Sequence, residues 1–152
     1  MIERWFNKVA EDNPLEFHTL GDIPSKFPEV VPHRHTPWMD SAERYYRIVD
    51  WHIALAPLAD TTFNHSKSDL RVLEAAMLGI PTIASATDSY GRFIEHGVDG
   101  LLVRKPSDWG GLLSYLVEHP EEREEMGQRA RLKAATRTVE ATALDWLKAY
   151  QS

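Results

Sequence analysis

Three short apolar runs with almost no polar alternation constrain the fold of this chain most strongly. They are "IALAPL" at 53–58, "PTIAS" at 81–85 and "LLV" at 101–103. A strand with one face in water alternates apolar and polar residues, whereas a strand covered on both faces does not. Helical patterns separate these runs, and strands that alternate with helices are typical of βαβ units. We therefore predict an α/β fold: a Rossmann-like three-layer domain with a mostly parallel sheet.

Apolar spacing predicts the other elements around this sheet. Gly79 is expected to close one helix in the left-handed conformation, and Pro81 prevents its continuation. The other predicted strands are 15–20 and 29–35, with a loop at 21–28 between them. The predicted helices are 2–12, 40–49, 69–78, 92–96, one opened by Pro106 or Ser107, one opened by Pro120, and 139–150.

The helical patterns also assign buried positions. The helix at 40–49 is expected to bury Tyr45, Ile48 and Val49, and the helix at 69–78 is defined by Leu70, Leu73, Ala76 and Met77. Four tryptophans fall at apolar-periodic positions and are interpreted as core or interface residues: Trp5, Trp51, Trp109 and Trp146. In the last helix, Trp146 and Leu147 are candidates for an interface with a further domain.

Composition narrows the function classes. The chain has 152 residues, a net charge of −6 and no Cys, and we expect a single domain over 1–152. The negative charge disfavours a nucleic-acid partner, and the absence of Cys excludes disulfides and Cys-ligated zinc. No run approaches the length of a transmembrane segment. The expected location is the cytoplasm, either free or at the periphery of the inner membrane surface.

The stretch "NHSKSDLRVLEAAMLGIPTIAS" carries the candidate site. Ligands of such folds bind at the carboxyl ends of the strands, and this stretch follows the strand at 53–58. With Ser68 as N-cap, the amides of Asp69, Leu70 and Arg71 and the hydroxyl of Ser68 would face an anion. Lys67 would add a point charge beside them. A diphosphate fits this set of donors.

Glu74 lies about one and a half turns further along the same helix. A carboxylate accepts hydrogen bonds from two vicinal hydroxyls at once, so Glu74 is suited to a ribose diol next to a bound diphosphate. A plainer interpretation stays open. Ser68 and Asp69 are common at helix starts, Lys67 would then be solvated, and Arg71 with Glu74 would form a surface pair.

From about Tyr45 to Arg131 the sequence resembles the C-terminal, nucleotide-sugar-binding domain of GT-B glycosyltransferases of family four (group 1). The matching words are "IALAPL", "KSDLRVLEAAMLGIPTIAS", "FIEHGVDGLLV" and "DWGGLLSYLVEHPEEREEMGQRAR". The form "FN..KSDL..LE" is most similar to the branch of surface-polysaccharide and O-antigen biosynthesis. The resemblance implies half of a GT-B fold and a nucleoside-diphosphate sugar as donor, without a metal or other cofactor.

The resemblance assigns roles to single residues. Glu74 matches the glutamate that binds the ribose in such domains. Ser66 stands where a second glutamate usually meets the transferred sugar, so Asn64, His65 or Lys67 would take part of that role, with His65 as the only candidate for a proton or hydrogen-bond role. Ser68-Asp69-Leu70 replaces the usual Phe-Gly-Leu phosphate turn, which keeps the backbone donors but adds an acid.

Two parts of the usual enzyme are expected to be missing. Domains of this class usually begin with a strand and a loop whose cations meet the donor phosphates, and an acceptor domain usually precedes them. The chain alone is therefore expected to be inactive. The open alternatives are a fragment, a subunit that meets its acceptor domain in another chain or in a homo-oligomer, and a degenerate reading frame.

The sequence "HRHTPW" at 33–38 is a second candidate region. His33 and His35 share one side of a strand, but no third metal ligand is evident, and we assign no metal site. In the GT-B interpretation, His33, His35 and Trp38 lie near the nucleobase.

The predicted function is glycosyl transfer from a nucleotide sugar, once an acceptor domain completes the site. One alternative is a non-catalytic binding or assembly module that keeps the fold without transfer activity. A flavodoxin-like or receiver-like domain is a further alternative, because these domains share the layered plan. The absence of an acidic cluster after the first strand disfavours a receiver.

Overall fold

The computed structural model describes residues 3–21 and 31–151. Among these residues the strands are β1 Phe17–Leu20, β2 His33–Thr36, β3 Ala54–Ala56, β4 Thr82–Ser85 and β5 Leu101–Val103. The helices are α1 Glu3–Asp12, α2 Ala42–Ile48, α3 Thr62–His65, α4 Leu70–Met77, α5 Asp88–Phe93, α6 Asp108–Glu118, α7 Pro120–Ala135 and α8 Val139–Gln151.

The described strands form two parallel sheets. The larger sheet has the order β3-β4-β5, with Leu55 opposite Ile83 and Ile83 opposite Leu101. The smaller sheet pairs β1 with β2. The predicted α/β class with parallel strands is confirmed, although the strands lie in two sheets. No strand pairing among the described residues joins the two sheets. Phe17 of β1 packs against the apolar cluster that contains Ile83, and the indole of Trp51, which precedes β3, donates to His18 of β1.

Both faces of the larger sheet are covered, as the apolar runs predict. Ile83 and Ala84 are neighbours in the central strand, point to opposite faces and are both 0% exposed. Ile83 packs in a cluster with residues of α1 and α6, whereas Ala84 packs with residues of α4, α5 and α7. The three layers follow from this alternation. Full burial of a side chain such as Ile83 contributes about 1.5 to 3 kcal/mol to folding.

The turn after α4 agrees with its sequence. Gly79 has a φ of 74°, in the left-handed region where a side chain is strained. Its amide donates to Ala76, and the amide of Ile80 donates back to Ala75. Pro81 then begins the approach to β4. The prediction that Gly79 closes the helix is confirmed.

One predicted buried face is wrong, and another is wrong in part. Helix α2 has no buried residue, and Tyr45, Ile48 and Val49 are at least partly exposed because α2 lies at the edge of the domain. In α4, Ala76 is buried and Leu73 is partly buried, as predicted, but Leu70 and Met77 are exposed. Val72 and Ala75 are buried in addition. The buried face of α4 is rotated from the predicted one because it contacts both the sheet and α7.

The fifth helix begins earlier than predicted. It covers Asp88–Phe93 and not 92–96, because the hydroxyl of Thr87 accepts from the amide of Tyr90 and starts the helix there. Beyond Ile94 the chain forms a turn in which the carboxylate of Asp99 accepts from the amide of Glu95 at 2.7 Å. The predicted loop at 21–28 lies, except for Gly21, outside the described residues.

The tryptophans divide between core and surface. Trp109 is 5% exposed and belongs to the core, and Trp5 and Trp51 are partly buried. Trp146 on α8 is 63% exposed, with Leu147 beside it at 55%. Helix α8 has no buried residue. None of the described helices is long and apolar enough to cross a membrane.

Helix α7 lies very close to the turn that follows α4. A methyl group added at Gly127 of α7 would overlap the carbonyl oxygen of Gly79 and lie 2.9 Å from its carbonyl carbon and 3.1 Å from Cδ of Pro81. Backbone and a proline ring cannot move aside as a flexible side chain can. The absence of a side chain at Gly127 therefore sets the distance between α4 and α7.

We predict that Gly127→Ala lowers the free energy of unfolding by about 2 to 4 kcal/mol, since the new methyl must push α7 away from α4. Urea denaturation followed by circular dichroism measures the change. Gly111→Ala is the matched control, because Gly111 lies inside α6 with no atom within 4 Å of the added methyl. The control should be neutral or gain up to about 1 kcal/mol from helix propensity. Equal stability of the two variants would contradict the close packing of α7.

Candidate functional site

The carboxyl ends of β3 and β4 meet at one edge of the larger sheet. The Ser85 hydroxyl donates to the carbonyl of Leu58 at 3.0 Å and accepts from the amide of Leu58 at 2.9 Å. These two bonds tie the loop after β3 to the end of β4. Helix α3 and the start of α4 follow from this loop. This is the edge at which ligands of open parallel sheets bind.

Helix α4 begins one residue later than predicted. Asp69, and not Ser68, is the N-cap, because its carbonyl accepts from the amides of Val72 and Leu73, each at 3.0 Å. The side chain of Asp69 makes no capping hydrogen bond. The amides of Leu70 and Arg71, in the first turn, have no acceptor within the helix. These two amides, with the positive end of the helix dipole, are donors suited to an anion.

The Asp69 carboxylate is paired with Arg137, which lies between α7 and α8. The two terminal guanidinium nitrogens of Arg137 donate to the two carboxylate oxygens, one of them at 3.3 Å. The side chain of Asp69 is 16% exposed and that of Arg137 is 44% exposed. The hydrogen bond to Asp69 raises the pKa of Arg137 above its usual value. Arg137 also lies over the ring of Phe93, at 5.7 Å from the centroid.

Glu74 lies on α4, about 6 Å along the helix axis from Leu70. It is partly buried, and its Oε1 accepts from the hydroxyl of Tyr46 on α2 at 3.1 Å. Burial first, and the charge of Glu74 second, raise the pKa of Tyr46. Arg71 and Glu74 are spaced for a surface ion pair, but no such pair occurs among the ion pairs of residues 3–21 and 31–151. Glu74 is therefore held toward α2, with Oε2 still able to accept.

The residues between α3 and α4 are ordered by local hydrogen bonds. Asn64 Nδ2 donates to the carbonyl of Ala59 at 2.8 Å, and His65 Nε2 is 2.7 Å from the carboxylate of Asp60. Ser66 Oγ donates to the carbonyl of Thr62.

The next two side chains along the chain, Lys67 and Ser68, reach the surface. Lys67 lies over the ring of Phe63, with Nζ at 5.2 Å from the centroid. Ser68 is exposed. The Phe63 ring is itself 74% exposed, so the Lys67 ammonium group lies at the surface next to the start of α4.

The second candidate region lies on the smaller sheet. The hydroxyl of Thr19 is 3.0 Å from Nε2 of His33 and 3.1 Å from Nδ1 of His35, so both rings are turned to β1. Trp38 is 72% exposed and packs edge-on against Tyr45 of α2, with ring centroids 6.1 Å apart. Over residues 3–21 and 31–151, no group of three or more His, Cys, Asp or Glu side chains is placed to hold a metal ion.

The predicted site residues fall into two groups. The segment from Asn64 to Leu70 and the side chain of Glu74 lie together on α3, α4 and the loop between them. Trp38 is connected to this group through α2, since Tyr45 contacts Trp38 and the next residue, Tyr46, contacts Glu74. The contacts described for His33 and His35 lead to β1 and not to Glu74.

Sequence reasoning missed Arg137 and Tyr46. The ion pair of Arg137 with Asp69 joins residues 68 positions apart, and no local spacing predicts it. Tyr46 was overlooked because the apolar pattern of α2 assigned the inner side to Tyr45, Ile48 and Val49. The sequence signal for Tyr46 is its position next to Tyr45, on a helix predicted to face the core.

Comparison with known proteins identifies a family that the sequence matches. The sequence profile described as glycosyl transferase-like matches residues 3–147. D-inositol 3-phosphate glycosyltransferase of Paenarthrobacter aurescens (strain TC1) is 29% identical over 139 residues, which cover 90% of this chain and 31% of the relative. The chain thus spans about a third of the length of this relative.

Solved structures show the same fold at low sequence identity. A variant of TarM from S. aureus, in complex with fondaparinux, alpha-GlcNAc-glycerol and UDP, matches 99% of this chain and 32% of its own chain, with a TM-score of 0.74 and 17% identity. Alr3699/HepE of Anabaena in complex with UDP matches 98% of this chain and 45% of its own, with a TM-score of 0.65 and 13% identity. At these identities the likeness concerns the fold.

His18 on β1 connects the second candidate region to Trp51, in the segment that leads to β3. Trp51 Nε1 donates to its Nδ1 at 2.7 Å, and its Nε2 is 2.9 Å from the hydroxyl of Thr36. Nδ1 must therefore be unprotonated. Burial, followed by the charge of Arg34, lowers the pKa of His18 below 6.5.

We predict that this histidine makes the fold less stable in mild acid. The pKa of His18 is 6.5 in the unfolded chain and lower in the folded chain, so below pH 6.5 the unfolded chain takes up the proton more readily. The contribution of neutral His18 to the free energy of unfolding is therefore fully present above pH 6.5 and is lost as the pH falls toward the lower pKa of the folded chain. Urea denaturation between pH 5 and 8 tests this. His18→Gln should flatten the decline relative to wild type. Parallel curves for the two proteins would contradict the prediction.

Proposed function

The chain belongs to the glycosyl transferase-like family, and from this premise we propose that it is the donor-binding domain of a glycosyltransferase. The donor is a nucleoside-diphosphate sugar. We further propose that the chain corresponds to the C-terminal half of a GT-B enzyme of surface-polysaccharide or O-antigen biosynthesis. It acts in the cytoplasm, at the periphery of the inner membrane, and needs no metal or other cofactor. An acceptor domain, on another chain or in a homo-oligomer, completes the active site.

One observation carries the proposal: the partly buried carboxylate of Glu74 and the free amides of the first turn belong to one helix, which begins at the carboxyl edge of the sheet. The amides of Leu70 and Arg71 supply donors for the diphosphate, and Glu74 supplies an acceptor about 6 Å along the axis. This is the step from a phosphate to a ribose. The fold of proteins crystallised with UDP supports the same assignment.

The chemistry of transfer follows from charge. When the bond between sugar and diphosphate breaks, negative charge builds up on the leaving diphosphate. Donors fixed at a helix start stabilise such charge without reorganisation, and Lys67 adds a cation beside them. Glu74 binds and orients the ribose through Oε2, while Tyr46 holds Oε1. Glu74 neither attacks the sugar nor carries a proton.

The residues near the transferred sugar differ from the usual pair of glutamates. Ser66 offers a hydroxyl that donates to Thr62, and His65 is paired with Asp60. We propose that Asn64, His65 and Lys67 contact the sugar in place of a second carboxylate. Trp38, exposed and connected to Glu74 through α2, is the candidate for contact with the base. We propose that His33 and His35 also lie near the base, from the side of β1, where they contact Thr19.

A non-catalytic binding module is the second candidate. It is favoured by Ser66, which leaves the donor sugar without a carboxylate. An experiment in which an acceptor domain is added distinguishes the two functions. A binding module keeps the affinity for nucleotide but shows no turnover of nucleotide sugar, whereas a transferase subunit releases nucleoside diphosphate.

We predict that the chain binds one of UDP, GDP and ADP weakly, and that Glu74→Ala reduces the binding free energy by about 1 to 3 kcal/mol, the range for a charged hydrogen-bonding group. Calorimetry or saturation-transfer NMR measures the affinity. Glu140→Ala on α8 makes the same charge change at an exposed position and should leave the affinity unchanged. Equal affinities for wild type and Glu74→Ala would remove Glu74 from the site, and no binding of any nucleotide would refute the proposed function.

A further inference from the structure

The acidic residue at the start of α4 stands in the wrong place for a phosphate site. Asp69 is the N-cap of the helix whose first amides face the proposed diphosphate. An unpaired carboxylate there would repel a ligand that carries two or three negative charges. The structure contains a compensating group: Arg137 is held against both carboxylate oxygens.

From this pairing we propose that Arg137 is a positioning residue for donor binding, which acts through Asp69 by turning its carboxylate away from the helix start and neutralising its charge. The inference rests on the proposed function and adds a residue to it. Arg137 itself lies beyond α7, 68 positions along the chain from its partner.

Three features favour a built pair over a chance surface contact. Asp69 is 16% exposed, whereas the carboxylates in the other arginine pairs of the described residues are at least 55% exposed. The contact uses two guanidinium nitrogens and two carboxylate oxygens, which fixes the orientation of both side chains. The Phe93 ring lies under the guanidinium and restricts it further.

The surroundings of the pair explain why its charge matters. Tyr90 is 2% exposed, and its burial raises its pKa, while the charge of Arg71 lowers this pKa and the charge of Asp69 raises it. Asp69 thus has the buried Tyr90 among its neighbours, whereas Ser68 and Leu70 on either side of it in the chain are exposed. Removal of Arg137 would leave the Asp69 charge uncompensated beside the Leu70 and Arg71 amides, where salt in the solvent can still screen it.

The test measures the affinity for the nucleotide among UDP, GDP and ADP that binds wild type most tightly. Arg137→Gln should weaken it about tenfold, and Arg137→Lys should keep most of it, because a cation remains beside Asp69. The double variant Asp69→Asn with Arg137→Gln should return to within about threefold of wild type, since no carboxylate is left to compensate. High salt should shrink the Arg137→Gln defect.

Two controls separate this role from a structural one. Arg129→Gln removes an arginine of α7 that is also paired with a carboxylate and is 43% exposed, close to the 44% of Arg137, and it should bind as wild type does. The matching nucleoside without phosphates should bind wild type and Arg137→Gln equally. A merely structural role of Arg137 would instead weaken nucleoside and diphosphate together and would not be rescued by Asp69→Asn.

The outcomes distinguish the inference from the function beneath it. If the nucleotide binds wild type and Glu74→Ala weakens it, but Arg137→Gln does not, the positioning role is overturned and the proposed function stands. A failure of the double variant to recover affinity also overturns the role. If no nucleotide binds wild type, both proposals fall together.

Discussion

The close approach of α7 to the turn after α4 is the constraint on which the candidate site depends. Gly127 lies against the backbone of Gly79, so the two helices are held at a fixed distance by main chain and not by adjustable side chains. Beyond α7 the chain reaches Arg137, and α4 begins at Asp69. The ion pair between them therefore depends on two helices whose separation is set where Gly127, in the middle of α7, meets the turn at the end of α4. The same contact contributes to the geometry of the helix start and to the stability of the core.

The amino-acid sequence predicts the layered architecture well and the charge arrangement poorly. The apolar runs at β3, β4 and β5, and the Gly79 turn, are local patterns whose physical causes act within a few residues. The Asp69 pair and the Tyr46 contact with Glu74 depend on how separate elements pack, which no local spacing encodes. For the same reason, Asp69 looked like an obstacle to a phosphate in the sequence, whereas its partner is visible only in the folded chain.

Helix boundaries and buried faces show the same division. Thr87 starts α5 four residues or more before the predicted position, since a hydroxyl cap outweighs apolar spacing in so short a helix. In α4, two simultaneous neighbours rotate the buried face toward Val72, Ala75 and Ala76. Glu74, beside this face, is thereby directed to α2, where Tyr46 meets it. The tertiary contacts of α4 thus decide which way its carboxylate points.

The doubled hydrogen bond of Ser85 with Leu58 has a consequence for variation among related chains. It fixes the point at which the segment 59–68 leaves the sheet, and Asp69 fixes the point at which that segment enters α4. The side-chain hydrogen bonds described for Asn64, His65 and Ser66 stay within this segment, so exchanges here disturb the sheet and α4 little. The surface of the candidate site can therefore change while the framework that carries it is retained.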